Sequence, residues 1–271
     1  MNSNIKKIII FFLTLTILAG GLFLFGKKFH FLRGGSGNLA QKQEVIFSNS
    51  ASPSPTAPPD ILSIISPTPT PRPSPLSPKS ILLDVPFFAQ APFGEWDNPV
   101  FQDGCEEAAI IMAWRWVQRQ TITKEQAKEE IMAISDFEDK TYGHAPDRSA
   151  ADTAHLMKEY TGYQNIRARS NISTKDINEE LLNGNLVIVP VNGRILKNPF
   201  YTPPGPEHHM VVVIGYDANK NEFITNDIGT RHGEKYRYGE SRLQAALQDY
   251  PTGNHLSSIS GATAIIVVEP K

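Results

Sequence analysis

Cysteine is almost absent from this sequence, because Cys105 is the only one among 271 residues. A single cysteine excludes an intramolecular disulfide framework and a zinc site built from several thiolates. A basic excess is absent as well, since the formal net charge is −2. With no surplus of positive charge to neutralise phosphates, the sequence predicts no nucleic-acid partner.

Charge is missing from one long apolar stretch, residues 8–26, which lies between two lysine pairs. About twenty apolar residues are enough to cross the hydrocarbon core of a membrane as a helix. No small-residue cleavage site follows promptly, so we interpret residues 1–33 as an uncleaved transmembrane signal anchor with its flanks. A cleaved signal peptide is the alternative. The anchor predicts a single-pass protein of the cell membrane, with its C-terminal part outside the cytoplasm.

The chain after the anchor changes composition twice. Residues 34–80 form a polar spacer that becomes rich in proline, serine and threonine. Such a segment cannot bury a core, so we expect a disordered, extended stalk. Residues 81–271 are long enough to enclose one hydrophobic core and are predicted to form the globular domain.

Within that domain helical patterns come first and β-branched apolar runs come later, which predicts an α+β fold with an antiparallel sheet. Cys105 opens a helix that is apolar on every side and therefore belongs at the centre of the core. Asp103 and Glu106 have the spacing of a capping box for this helix. Further helices are expected at 123–134, 148–160, 173–182 and 242–247, and strands at 82–85, 186–191, 209–216, 222–225, 236–238 and 262–268.

The hairpin formed by the strands at 209–216 and 222–225 carries candidate catalytic residues. If its turn is centred near Asn219, residues whose numbers sum to about 438 lie opposite each other. Asp227 then pairs with Val211, which is two residues from His209 and lies on the same face of the strand. A carboxylate there can bind one ring nitrogen and leave the other to face a thiol. Cys105 is a candidate for that thiol, because the first turn of a helix favours a thiolate.

Hydrolysis of an amide through a thiol also needs a donor for the developing oxyanion. Gln90 and Gln102 are the two candidates upstream of Cys105. Gln102 is only three residues before the thiol, which makes doubling back over it difficult. Gln90 is therefore the preferred candidate, together with the backbone N–H of Cys105.

Four stretches of this sequence resemble the C39-like peptidases of the papain-like cysteine peptidase superfamily. They are Val-Pro-Phe-Phe-Ala-Gln at 85–90, Gly-Cys-Glu at 104–106, His-Met-Val-Val-Val-Ile-Gly-Tyr-Asp at 209–217, and Asn-Asp at 226–227. They occur in the family's order between residues 81 and 268, and the histidine strand is the most specific of them. The resemblance implies a papain-like fold in which the Cys-bearing helix packs on a C-terminal antiparallel sheet.

The same resemblance implies roles for individual residues. Cys105 is the nucleophile, His209 the base, Asp227 the residue that orients it, and Gln90 the oxyanion donor. The chain also departs from the family, since many members have Cys-Gly-Pro where this sequence has Cys105 followed by two glutamates. Two carboxylates beside the thiol would raise its pKa unless the helix turns them away.

These residues predict a thiol hydrolase that cleaves a peptide or amide bond through a thioester. Its partners would be a peptide or protein substrate, with cell-wall and surface proteins as sources, and the membrane through the N-terminal helix. No cofactor and no metal are expected. A zinc site is disfavoured because adjacent histidines on a strand point apart; it would draw on His208, His209, Asp227 and His232. Two alternatives stay open: a non-catalytic surface binding module, and an acyl transferase of the transglutaminase or amidase type.

Overall fold

The computed structural model of this protein describes residues 79–259 and 261–271. They belong to one compact unit. The predicted anchor and nearly all of the predicted stalk lie outside the described residues, so the division into anchor, stalk and domain stays a prediction. Across the two described ranges, no helix has both the length and the apolar character that a membrane span needs.

The described chain begins with helices and ends with strands, in the predicted order. The helices are α1 (Pro99–Asp103), α2 (Cys105–Gln118), α3 (Lys124–Thr141), α4 (Ala150–Thr161), α5 (Thr174–Leu182), α6 (Gly193–Leu196) and α7 (Glu240–Ala246). The strands are β1 (Ile81–Leu82), β2 (Ile166–Ser170), β3 (Leu186–Val191), β4 (His209–Asp217), β5 (Glu222–Asn226), β6 (Tyr236–Gly239) and β7 (Ala264–Val268). Of these, α1, β2 and α6 were not predicted, and residues 89–102, where α1 lies, were expected to form a loop.

One sheet organises the domain, with strand order β2-β7-β3-β4-β5-β6 and β1 added to β4. Every pairing in it is antiparallel. Both faces of its centre are covered, so β3 and β7 are buried along their whole length. Alternate residues of β4 therefore enter different cores: Met210 and Val212 face the core that contains α2, whereas Val211 and Val213 face the other one. The predicted α+β class is confirmed.

The α2 helix lies in the core because it has no polar face beyond its first turn. Its residues from Ala108 to Ala113 are at most 2% exposed, as a helix that is apolar all round requires. The predicted capping box is wrong, however. Asp103 ends α1, and Gly104 is the N-cap of α2 without a side-chain hydrogen bond. A Cβ on Gly104 would lie 2.6 Å from the Val100 carbonyl oxygen, so only glycine lets the two helices follow each other so closely.

The β4–β5 hairpin has the predicted register at the end where the site lies. Val212 pairs with Asn226 and Val213 with Thr225, and in both pairs the numbers sum to 438. A bulge between Val213 and Gly215 shifts the register by one residue toward the turn. The shift lies beyond the end that carries His209, so the prediction for the site is unaffected.

Candidate active site

A cleft of roughly 1050 Å³ opens between the start of α2 and the start of β4. Its lining includes Cys105, His209, Gln90 and Gln102. Asp227 lies immediately behind His209 and is fully buried. The fold thus brings the residues selected from the sequence to one place, although Cys105 and His209 are 104 positions apart in the chain.

His209 opens β4 and is bound to the residue that follows β5. Its Nε2 lies 2.9 Å from Asp227 Oδ1, and both side chains are almost completely buried. This contact occupies Nε2 and leaves Nδ1 as the nitrogen that can accept a proton. Gly229 leaves room for the ring, because a Cβ at that position would come within 2.9 Å of His209 Cε1.

Hydrogen-bond donors surround the Asp227 carboxylate on both sides. Oδ1 also accepts from the Gly229 amide at 3.1 Å. Oδ2 accepts from Asn198 Nδ2 at 2.9 Å and from the hydroxyls of Tyr201 and Tyr238. Burial alone would raise the pKa of Asp227, but the hydrogen bonds from His209 and the two tyrosines outweigh it and lower the pKa below its usual value. Asp227 is therefore an ionised, fixed acceptor.

Sequence reasoning did not find Asn198, Tyr201 and Tyr238. The first two lie in the loop after α6, which gave no signal beyond its prolines. Tyr238 had a weak signal, since a strand at 236–238 was predicted and β6 pairs with β5 just before Asp227. These contacts join distant parts of the chain, so no local spacing announces them.

Cys105 is the first residue of α2, and its side chain is turned toward a neighbouring carboxylate. Sγ donates to Glu106 Oε2 at 2.9 Å and lies 4.0 Å from the Tyr250 hydroxyl. His209 is not among its hydrogen-bond partners in the described part of the chain. The thiol still lies against the start of β4, because the backbone amide of Met210 interacts with it.

The pKa of the Cys105 thiol is raised well above its usual value. Burial is the largest cause, followed by the charge of Glu106 and its hydrogen bond, and then by the charge of Glu107. The helix therefore does not turn the two glutamates away. The expected thiolate at the start of the helix is not found in this arrangement, because a buried thiol bonded to a carboxylate keeps its proton.

Glu106 belongs to a buried acidic group behind the cleft. Its Oε1 accepts from the Arg148 backbone amide at 3.1 Å and from the Tyr250 hydroxyl at 2.9 Å. Burial raises the pKa of Glu106 to about 7, although these hydrogen bonds oppose the shift. Glu107 and Glu138 are also buried, and the Arg148 side chain forms an ion pair with Glu138 at 3.1 Å. Burial raises the pKa of Glu138 to about 7 despite that ion pair.

These shifts predict that the domain loses stability as the pH rises from 5.5 to 8. A carboxyl with a pKa of about 7 when folded and an ordinary pKa when unfolded binds more protons in the folded state between those values. Its stabilising effect is complete below the unfolded pKa and is lost as the pH rises through 7. Urea unfolding at both pH values measures how far the free energy of unfolding falls between them. In Glu106→Gln this fall should be smaller than in wild type by on the order of 2 kcal/mol. Equal losses would mean that Glu106 titrates normally.

Gln90 is buried between the cleft and the end of α1. Its Nε2 donates to the carbonyl oxygens of Phe101 at 3.1 Å and Gln102 at 2.8 Å, so both amide hydrogens are used. Its Oε1 is buried and has no hydrogen-bond partner among the described residues. Gln102 is exposed and also lines the cleft. To act as the predicted oxyanion donor, Gln90 must therefore release one of these two carbonyl oxygens and donate that amide hydrogen to the substrate.

The architecture defines a class. A thiol at the start of a central helix, in the same cleft as a histidine at the start of a strand of an antiparallel sheet, is the papain-like arrangement. The sequence then identifies the family. Residues 82–256 match the model of the Peptidase_C39 like family, which is more than half of the chain. The chain belongs to this family, and the predicted resemblance and fold class are confirmed.

Two further comparisons were made with known proteins. No curated protein matches the chain. Among solved structures, a crystal structure of a candidate C39-like peptidase from Bacillus anthracis is similar, with 15% sequence identity and a TM-score of 0.47. The match covers 72% of this chain and 100% of that chain.

Proposed function

We propose that this protein is a membrane-anchored, extracytoplasmic cysteine peptidase with Cys105 as nucleophile, His209 as base and Asp227 as the orienting residue. The observation that carries the proposal is the buried His209–Asp227 pair, which leaves Nδ1 free in the same cleft as the thiol. A nucleophile, a base and a residue that fixes the base are the parts that thiol hydrolysis needs.

The reaction begins when the Cys105 thiol leaves Glu106 and turns toward His209. Nδ1 takes the thiol proton as sulfur attacks the carbonyl carbon, and the oxyanion that forms binds the Cys105 backbone N–H and the Gln90 amide. The C–N bond then breaks, the amine leaves with the proton from Nδ1, and a thioester remains. Water attacks the thioester after giving a proton to His209, which releases the acid and restores the thiol.

The cleft rim indicates what kind of peptide binds there. Phe93, Trp96, Phe200 and Leu256 line the cleft, and each is between 39% and 53% exposed. Large apolar side chains that remain open to solvent around a cleft are typical of a ligand-binding surface. We therefore propose a peptide or protein substrate with apolar side chains near the cleaved bond.

The proposed location rests on the N-terminal part of the sequence. The uncharged run at residues 8–26 and the proline-rich residues 34–80 suit an anchor followed by a stalk. Such a stalk would hold the catalytic domain away from the membrane, where peptides of the cell wall or of surface proteins are within reach.

A peptide that ends in an electrophilic chloromethyl ketone tests the proposal on the full-length protein. We expect one covalent adduct at Cys105, formed faster in the native than in the urea-denatured protein, because the cleft binds the peptide and His209 removes the thiol proton. His209→Ala should slow adduct formation by at least about tenfold. His232→Ala, in the same cleft, is the matched control. Mass spectrometry measures the adduct, and labelling no faster in the native protein would contradict an activated thiol.

A second candidate function is a peptide-binding module without turnover. The bond between Cys105 and Glu106 favours it, because that bond keeps the thiol protonated and turned from His209. This function predicts that apolar peptides bind with measurable affinity while neither adduct nor cleavage product forms.

A further inference from the structure

We propose that Asp147, His208 and His255 form a binding site for one divalent transition-metal ion of the zinc type at the edge of the cleft. The site is separate from the Cys105, His209 and Asp227 constellation and takes its ligands from three different segments of the chain. Two imidazoles and one carboxylate are donors that suit zinc.

The three donor atoms are already grouped closely enough to converge on one ion. Asp147 Oδ2 lies 2.9 Å from His208 Nδ1 and 3.1 Å from His255 Nδ1. All ligand atoms of the group lie within 4.8 Å of one another. Zinc binds nitrogen and carboxylate oxygen at about 2.0–2.2 Å, so neighbouring ligands around a tetrahedral ion are separated by about 3.3–3.6 Å. A small expansion of the present contacts would admit the ion in place of the two ring protons.

The second nitrogen of each histidine also faces an oxygen. His208 Nε2 lies 3.1 Å from Ser258 Oγ. His255 Nε2 lies 3.8 Å from Asp103 Oδ1, which is the range of an ion pair. Histidine ligands of metals almost always have such a partner, which fixes the ring and makes the free nitrogen a better ligand.

Two of the three ligands are held firmly and the third is open to solvent. The side chains of Asp147 and His208 are 8% and 7% exposed, whereas that of His255 is 57% exposed. The His208 ring stacks on Tyr250 at a centroid distance of 4.6 Å, and the Asp147 backbone is paired with Gly253. An ion can therefore enter from the cleft side and keep a position for water or a cleft ligand, as open zinc sites do.

His208 is buried for a specific reason. The sequence predicts only that its side chain and that of the adjacent His209 point apart. Tyr250 and the segment that carries His255 and Ser258 cover the His208 side chain. The covering segment supplies the second histidine of the proposed site.

Titration of the metal-free full-length protein with cobalt(II) and zinc chloride tests the site. We expect one equivalent of cobalt to give a visible absorption spectrum that zinc abolishes. His255→Gln should weaken zinc binding at least about tenfold, because even the loss of a hydrogen-bond partner of a metal ligand typically lowers metal affinity by that much. His232→Gln, which changes another exposed histidine of the cleft, should bind as wild type does.

Two further variants distinguish a metal site at these residues from metal binding at the thiol and from a hydrogen-bond network. Cys105→Ser should leave the cobalt spectrum unchanged and without a thiolate charge-transfer band, since sulfur is not a ligand. Asp147→Asn should bind as weakly as His255→Gln, with circular dichroism to confirm its fold. Unchanged zinc affinity in His255→Gln, or loss of binding in Cys105→Ser, would overturn the proposal and leave the group as a hydrogen-bond network. Both outcomes are independent of whether the protein cleaves peptides.

Discussion

Replacing Asp227 by Asn should lower kcat for peptide hydrolysis by about 10³- to 10⁴-fold while the protein still folds. The carboxylate is the buried partner of His209, which becomes a cation in the proposed reaction. An amide has no charge to stabilise that cation. Its NH2 group must also face donors, whichever way it is placed.

The two placements of the amide fail for different reasons. If NH2 faces His209, Nε2 must accept a hydrogen bond, the ring proton moves to Nδ1, and the base is lost. If NH2 takes the place of Oδ2, it faces Asn198 Nδ2, which is also a donor. The hydroxyls of Tyr201 and Tyr238 would then have to accept hydrogen bonds instead of donating them. A buried group without a partner costs about 1–3 kcal/mol, so thermal unfolding should show some loss of stability.

Asp217→Asn is the matched control for this experiment. Asp217 is the last residue of β4, at the far end of the hairpin, where it pairs with Arg237 on the surface. Its replacement should leave kcat within about twofold of wild type, as surface substitutions away from the site do. A folded Asp227→Asn protein with less than about tenfold loss of kcat would remove Asp227 from the orienting role.

Gln90→Ala should lower kcat by about 10²- to 10³-fold, the usual loss when one oxyanion donor is removed. The expectation requires Nε2 to exchange its longer contact, the one with the Phe101 carbonyl, for the substrate oxyanion. Catalytic hydrogen bonds often form only in the substrate complex, so the resting contacts are compatible with this role. Gln102→Ala should change kcat by less than about tenfold.

Gln90 also tethers the end of α1, and this structural effect must be separated from catalysis. Alkylation of Cys105 by iodoacetamide forms no oxyanion, so its rate should be the same in Gln90→Ala and in wild type. A large fall in kcat with unchanged alkylation supports oxyanion binding. If kcat falls further in Gln102→Ala than in Gln90→Ala, the role of oxyanion donor belongs to Gln102. If Gln90→Ala lowers both kcat and the alkylation rate, Gln90 only holds the nucleophile segment in place.

The parts of the site that follow local rules were predictable from the sequence. A helix without a polar face must be buried, and this placed Cys105 next to the core. The twofold periodicity of strands, with a turn near Asn219, placed Asp227 beside His209. Neither inference needs knowledge of the rest of the chain.

The parts that depend on long-range packing were not predictable. Glu106 was expected to cap a helix, but Gly104 is the N-cap of α2, and the glutamate turns inward to Cys105 and Tyr250. The contact between Glu106 and Tyr250 joins residues 144 positions apart, which no spacing rule connects. The same holds for the tyrosines on Asp227. Short elements such as β1 escaped accurate prediction because two residues carry no periodicity.

The contact between Cys105 and Glu106 also bears on how long the thiol would survive outside the cytoplasm, the location that we propose for this domain. Peroxide attacks thiolates, and oxidation beyond the sulfenic acid cannot ordinarily be reversed. A thiol that a buried carboxylate keeps protonated presents little thiolate to an oxidant. The one cysteine in the chain is thus held mainly as a thiol between cycles of the proposed reaction, with no second cysteine to rescue it as a disulfide.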